Sequence, residues 1–394
     1  MPDIEIRAVE AQESLDILYL LGNYAFRASP PMPNRAEWET NARARKGALC
    51  YALFEDREAV VVMSCPMFTH NVRGKLFPMA GFAGVSSHPK ARNKGYVRQT
   101  IRYTFEEFKE KGLAFSCLYP FRESFYERLG WVTFPQSRKA IFDPADLRPL
   151  RKRDLGGEVT MMLIGDGYDA YYDYMKAMLP GVHGMAVFAE PQKESAQSNR
   201  SWLALAKIDG LVAGLMLYSL KGEEIKEFTL QATRFYYQNT QARYLLLDWI
   251  ARHTDQAGQA EIWLPAYERP NTWMADMHPK METVFVDPMG RVIDVAGIGG
   301  IATGPGRFDV RVSDPDCPWN EGTWRLDGTG GTLEVSPTHH ADCHLTIQGL
   351  SALVYGSNDP ADFAFRGWGD PSPQMQGVMR RMFPLELPYL HEYF

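Results

Sequence analysis

The sequence lacks long apolar runs: no stretch approaches the roughly 20 residues that a membrane helix needs. The N-terminus, Met1 to Glu10, is acidic and alternating, without the basic-then-apolar order of a signal or transit peptide. A membrane span or membrane partner is not expected, and a cytoplasmic location is. Cysteine is also scarce. The five present (Cys50, Cys65, Cys117, Cys317, Cys343) are odd in number and scattered, with no CxxC pair and no zinc-like spacing. Reduced, mostly buried thiols are expected, and no metal. Positive charge is short as well: a net charge of -6 leaves no basic face with which to neutralise phosphates, which argues against a nucleic-acid partner. The acidic balance favours cationic substrates, or serves only solubility.

What is present describes an ordinary folded protein, 45% hydrophobic, 12% aromatic and 23% charged. With 394 residues, two or three domains are allowed, and three is the working number. Residues 1–142 read as β-α-β-β-β-α-β-α-β. Ile4 to Val9 begins a strand, and an apolar helix from Ser14 ends before Pro30-Pro31. Strands Leu49 to Glu55 and Ala59 to Cys65 join through Glu55-Asp56-Arg57, and a third runs Leu76 to Ser87. A helix follows from Gly95 to Lys111, with Val97, Ile101, Phe105 and Phe108 on one face and Gly112 as its stop. After the strand Leu113 to Tyr119 come a short helix, Glu123 to Leu129, and one strand, Trp131 to Phe142. The proline and charge cluster between Asp143 and Gly157 marks a boundary. A similar order then recurs in Ser201 to Ile208, Val212 to Leu220, Glu227 to Phe235, the helix Gln238 to His253, and Ala260 to Leu264, which suggests a duplicated domain. Alternating strands, short helices and an aromatic tail, Phe383 to Phe394, complete the chain. The fold class is therefore α/β (α+β), in segments 1-150, 151-283 and 284-394.

The chemistry concentrates between Val85 and Trp131. A strand ends at Val85-Ser86-Ser87, a loop carries Arg92-Asn93-Lys94, and a helix opens at Gly95-Tyr96-Val97-Arg98. Gly95 admits close backbone approach, and the unpaired N–H groups of the first turn, with the helix dipole, suit a pyrophosphate. Arg92, Lys94 and Arg98 add positive charge. The alternative is a basic turn that merely caps a helix. Tyr126, in the next β-α unit, sits where a phenol faces the gap between two parallel strands and can protonate a departing thiolate. Taken alone it would more often be a half-buried packing tyrosine. Phe121 and Arg122, which precede it, are assigned to the cofactor as well.

The loop Arg92-Asn93-Lys94-Gly95-Tyr96-Val97 resembles the R/Q-x-x-G-x-G/A signature of Gcn5-related N-acetyltransferases (GNAT), with Val97 departing from the usual Gly or Ala. Three features, Gly95-Tyr96-Val97-Arg98, Phe125-Tyr126 before Gly130-Trp131, and Asp316-Cys317-Pro318-Trp319-Asn320-Glu321-Gly322, make the whole chain similar to the Eis acetyltransferases. That resemblance implies two GNAT-type mixed-sheet domains followed by a sterol-carrier-protein-like domain (SCP2-like), acetyl-CoA as co-substrate, and a homo-oligomer of six copies. It implies polycationic acceptors such as aminoglycosides, with protein lysines as a second class. The second domain would be a degenerate copy, since Thr233-Arg234-Phe235-Tyr236-Tyr237-Gln238-Asn239 offers no glycine to a pyrophosphate.

One group is missing. The strand from Leu76 to Val85 contains no carboxylate that could take the amine proton. In the Eis family the C-terminal carboxylate reaches back into the first domain for that role, and this chain ends in an aromatic residue, Phe394. An α-carboxylate, with a pKa near 3.5, is ionised at neutral pH; the alternative is a packed tail whose carboxylate neutralises an arginine. Glu392 is a candidate substrate anchor, and Phe26, Trp38 and Phe82 are candidate acceptor-pocket walls. The cluster His339-His340-Ala341-Asp342-Cys343-His344 is read as a polar strand face rather than a metal site. A relict domain in a lipid-binding or scaffold protein is the non-enzymatic alternative.

Overall fold

The computed structural model describes residues 2–135, 137–225, 227–284 and 286–394. The chain forms two compact units, one of Met1–Pro135, Leu179–Pro191 and Val286–Phe394, the other of Gln136–Met178 and Gln192–Phe285.

The first unit is built on strands β1 (Ile4–Ala8), β2 (Ala48–Glu55), β3 (Glu58–Val72), β4 (Lys75–Ser87), β5 (Phe115–Leu118), β6 (Val132–Thr133), β7 (Ala186–Phe188) and β8 (Met289–Val292). Their order is β1-β2-β3-β4-β5-β8-β6, with β7 also paired to β3. Asp56 and Arg57 both take positive φ between β2 and β3, the two-residue turn that matches strand twist. β4 and β5 are parallel, so helix α1 (Tyr96–Glu110) must cross over between them. Its Ile101, Phe105 and Phe108 are fully buried with Phe82 and Trp131, and Thr100 and Thr104 return their hydroxyls to the carbonyls of Tyr96 and Thr100 at 2.9 and 2.8 Å. The span expected as one strand, Trp131 to Phe142, is instead two, Val132–Thr133 and Arg138–Phe142, in different sheets. Pro135, with no N–H, cannot continue a ladder, and Gln136 within that span lies outside the described residues.

The other face of this sheet is covered by the C-terminal part of the chain. Strands β9 (Arg307–Ser313), β10 (Gly322–Asp327), β11 (Glu334–Pro337) and β12 (Cys343–Thr346) run in the order β11-β10-β9-β12. They join helix α3 (Ile347–Tyr355) and the sheet's Phe68, Met79, Phe115 and Phe134 in one core. A buried ion pair clasps this arrangement. Arg291 of β8 donates to both oxygens of Asp314 at 2.8 and 2.7 Å, to the Leu129 carbonyl, and to the Cys317 sulfur at 3.0 Å. Its guanidinium also lies 4.4 Å from the Phe105 ring centre.

The second unit is a seven-stranded sheet that repeats the same logic. Antiparallel strands Glu158–Leu163, Trp202–Ile208, Leu211–Lys221 and Phe228–Tyr237 lead through the helix Thr240–Ala251 to a parallel neighbour, Ala257–Leu264. The strand, strand, strand, helix, strand order expected from the sequence is present.

Candidate active site

The loop expected to hold a diphosphate begins at a defect in β4. Ser64 pairs with Ala83 and Val62 with Ser86, so Gly84 and Val85 together oppose Met63, a bulge in which Gly84 takes φ +57°. Ser86 is buried and its hydroxyl donates to the Gly84 carbonyl at 2.9 Å, while Val85 and Ser87 stay half-buried. Arg92, Asn93, Lys94 and Gly95 are exposed, and Asn93 and Gly95 both have positive φ. A Cβ built on Gly95 meets no protein atom within 4 Å, so the loop faces open space where a ligand can approach the N–H groups that open α1.

The loop's basic side chains divide. Lys94 donates to Glu55 at 2.7 Å, and the buried Tyr96 hydroxyl donates to the same carboxylate at 2.7 Å. This pairing, Lys94 first, holds Glu55 below its ordinary pKa. Arg98 donates to Asp316 at 3.0 Å, and Arg102 donates to the same carboxylate, so the Arg98 guanidinium serves the C-terminal domain. Arg92, 5.9 Å from the Tyr24 ring centre, is the one of the three without a carboxylate partner among the described residues. Val97 is half-buried against the α1-side core.

Helix α2 (Glu123–Glu127) carries Tyr126, 4% exposed, ringed by Phe121, Phe125 and Trp131 at centre distances of 5.8, 5.1 and 5.8 Å. Burial pushes its phenol well above the ordinary tyrosine value, so it stays protonated at neutral pH. Its hydroxyl has no hydrogen-bond partner among the described residues, although the ring is buried. Phe121 is exposed, and Arg122 opens the helix.

The C-terminus arrives at the opposite side of the same strands. The Phe394 ring lies 4.7 Å from Phe68 and 5.6 Å from Tyr119, centre to centre, and occupies the space that a side chain at Gly81 would need. Gly81 pairs with Cys117 across the parallel β4–β5 junction. The next residue, Phe82, points the other way, into the cluster of Phe105, Phe108 and Trp131 that also contains Tyr126. Phe394 thus covers Gly81 on one face of β4, while Tyr126 lies in the cluster that Phe82 enters on the other, one ring removed through Trp131. The tail is held along its length. Arg73 donates to the Pro384 carbonyl at 2.9 Å, the Tyr389 N–H donates to the His183 carbonyl at 2.9 Å, and the Tyr119 hydroxyl donates to the Leu390 carbonyl at 3.2 Å. Glu392 is half-buried.

The three candidate acceptor walls stand in different surroundings. Phe82 is a core side chain, 3% exposed; Phe26 is 60% exposed; Trp38 packs edge-on against Tyr19. Among the described residues no group of three or more His, Cys, Asp or Glu side chains is arranged to hold a metal. His340 faces Asp342, and His344 instead meets the Ser313 hydroxyl at 3.0 Å.

Residues 5–134 match the acetyltransferase (GNAT) domain family, and residues 300–391 match the sterol carrier protein domain family. The chain thus carries a GNAT acetyltransferase domain and a C-terminal sterol carrier protein domain. An uncharacterized N-acetyltransferase of Streptomyces avermitilis is 23% identical over 318 residues, 72% of this chain and 73% of its own length. Among solved structures, a GCN5-related N-acetyltransferase from Anabaena variabilis superposes with a TM-score of 0.87 at 15% identity, covering 100% of both chains. One from Kribbella flavida does so with 0.81 at 20%, over 100% of this chain and 99% of its own. Eis1 from Mycobacterium abscessus gives 0.79 at 14%, again over 100% of both. The fold is common to all three, and GNAT domains use acetyl-CoA.

Two site residues of this acetyltransferase were not singled out in the sequence. Gly81 receives the C-terminal ring and Gly84 forms the bulge. Both are glycines inside a strand, the signal of a bulge or a close approach, but the long apolar run of β4 hides them.

Proposed function

We propose that the enzyme transfers acetyl from acetyl-CoA directly to the amine of a polycationic, aminoglycoside-like acceptor. The observation that carries this reading is the seating of Phe394 on Gly81, beside the junction that Tyr126 meets through Trp131 and Phe82. Val85, Ser86, Ser87 and the loop Arg92 to Arg98, with Phe121 and Arg122, hold the coenzyme; Arg92 is the cation available to its diphosphate. The Phe394 carboxylate, or a water it holds, takes the amine proton. The amine attacks the thioester carbonyl, the tetrahedral intermediate collapses, and Tyr126 protonates the departing thiolate. Glu392 anchors the cationic acceptor. Segment 1-150 supplies the cofactor site, 151-283 is a degenerate copy, and 284-394 delivers the C-terminus. A cytoplasmic assembly of six copies belongs to the same reading.

Thiol release with a polyamine and aminoglycoside panel tests this. Tyr126→Phe and a chain extended by a few residues beyond Phe394 should each lose on the order of 10²-fold in kcat while still binding acetyl-CoA. Normal turnover by the extended chain removes the base, and an unaffected Tyr126→Phe removes the acid. Faster release with lysine peptides than with any aminoglycoside would make it a protein lysine acetyltransferase.

A further inference from the structure

The neighbours of Tyr126 on α2 line a second feature, a cleft of about 610 Å³. Arg122, Ser124, Glu127 and Arg128 form one wall, and Thr346, Gln348, Arg366, Gly367 and Trp368 of the C-terminal domain form the other. Three of these side chains are guanidinium groups in a protein whose net charge is -6. Only one carboxylate accompanies them. Glu127 is engaged by Arg366 at 3.0 Å, while its carbonyl accepts from Gln348 at 2.8 Å. Arg122 has no carboxylate partner among the described residues, and Arg128 is bound only through Nε to the Ser124 carbonyl at 3.2 Å. Two positive charges are left uncompensated.

Two of these arginines are also held in place. Arg366 lies 4.0 Å from the centre of the buried Trp368 ring, and Arg128 lies 5.8 Å from that of Phe125. A cation–π contact holds a guanidinium over the ring and leaves N–H groups for contacts with oxygen. The N-terminal end of the nine-residue helix α3, capped by Thr346, adds its partial positive charge to the same wall.

We propose that this cleft binds a phosphate monoester dianion. A single carboxylate would leave one of the two charges uncompensated, whereas a phosphate group offers two charges and three oxygens to forked donors. The phosphate has two possible sources, the 3′-phosphate of the acyl-CoA itself or a separate phosphorylated small molecule. Only the first source rests on the acetyl-CoA reading above.

Calorimetric titration of the full-length protein with inorganic phosphate decides the proposal. Binding should tighten as pH rises through the second ionisation of phosphate, because the arginines stay charged while the ligand gains charge. Arg122→Ala combined with Arg128→Ala should weaken it about tenfold or more, and Glu127→Gln, which removes the competing carboxylate, should strengthen it. No binding by the wild-type chain, or equal binding by the double variant, overturns the site. Displacement then separates the sources. If coenzyme A expels phosphate and 3′-dephospho-coenzyme A does not, the cleft serves the cofactor; if phosphate and coenzyme A bind together, it serves a separate phosphorylated ligand. Phosphate binding in a protein that fails to bind acetyl-CoA would sink the acetyl-transfer reading and leave the cleft standing.

Discussion

Gly81 is where a single missing side chain matters most. The space its Cβ would fill holds the ring of the last residue of the chain. Because the atoms met are those of a side chain and not of backbone, the cheapest relief of a clash is for the Phe394 ring to shift, rather than for β4 to deform. On the role proposed above for the Phe394 carboxylate, Gly81→Ala should leave the melting temperature nearly unchanged and lower kcat on the order of 10²-fold. In that background, deleting Phe394 should add little, since both changes remove the same contact. Full additivity of the two in steady-state rates would separate Gly81 from the C-terminus. Lys94 illustrates the opposite limit: its basic character is plain in the sequence, but Glu55, 39 positions earlier, already holds it.

At the scale of elements, the joint between β8, α1 and the Asp314–Asn320 segment stands out. Arg291 and Asp314 are both 0% exposed and make a two-bonded pair, and Asp314 also accepts from Asn320 at 2.9 Å. A buried pair of this kind contributes little over an apolar replacement, but removing one partner strands the other charge. Asp314→Ala should cost about 3–5 kcal/mol in urea unfolding. Combining it with Arg291→Met should recover a large part of that loss, and a double variant no more stable than the single one would disprove the charge argument. The neighbouring Asp316 is gripped by Arg98 and Arg102 of α1, which docks the segment Asp316 to Gly322 of the C-terminal domain on that helix.

At the scale of the molecule, the first unit is knitted from three distant stretches of chain around buried histidines. His70 Nδ1 lies 3.1 Å from the Met185 carbonyl and its Nε2 lies 3.2 Å from the Tyr355 hydroxyl. His183 Nε2 is 2.8 Å from the Tyr355 carbonyl, and its Nδ1 accepts the Arg73 N–H at 3.0 Å. Burial pushes His70 down to about 4 and His183 to about 3. Both folded values lie below the ordinary 6.5, so the unfolded chain takes up protons first as pH falls. Stability is complete above about pH 6.5 and declines as pH drops toward these folded values, by an amount on the order of 3 kcal/mol for His70 alone. Urea midpoints should fall steadily from pH 7.5 to 5, and His70→Gln should flatten part of that slope. A midpoint independent of pH across this range would exclude the histidines as the acid-sensitive joint.

The local elements were legible because each repeats over a short range. Val97, Ile101, Phe105 and Phe108 announce a helix by spacing alone, and Gly95 and Gly112 bound it by conformation. The helix Ile164–Met178 escaped notice because Gly165 and Gly167 interrupt its pattern; Gly167 is needed for close packing on Leu203 and Met162. The Arg92 to Arg98 loop and the short helix carrying Tyr126 were readable for the same local reason, as was the lack of a carboxylate in β4. Sequence could not show that Met289–Val292 would enter the first sheet between β5 and β6, nor that Arg98 would turn to Asp316, 218 positions away. Local propensity and composition therefore determined which elements form and where along them the ionisable side chains stand. The partners of Arg98, Lys94 and Gly81 were decided only in the tertiary structure, because burial and charge pairing depend on what long-range packing brings within a few ångströms.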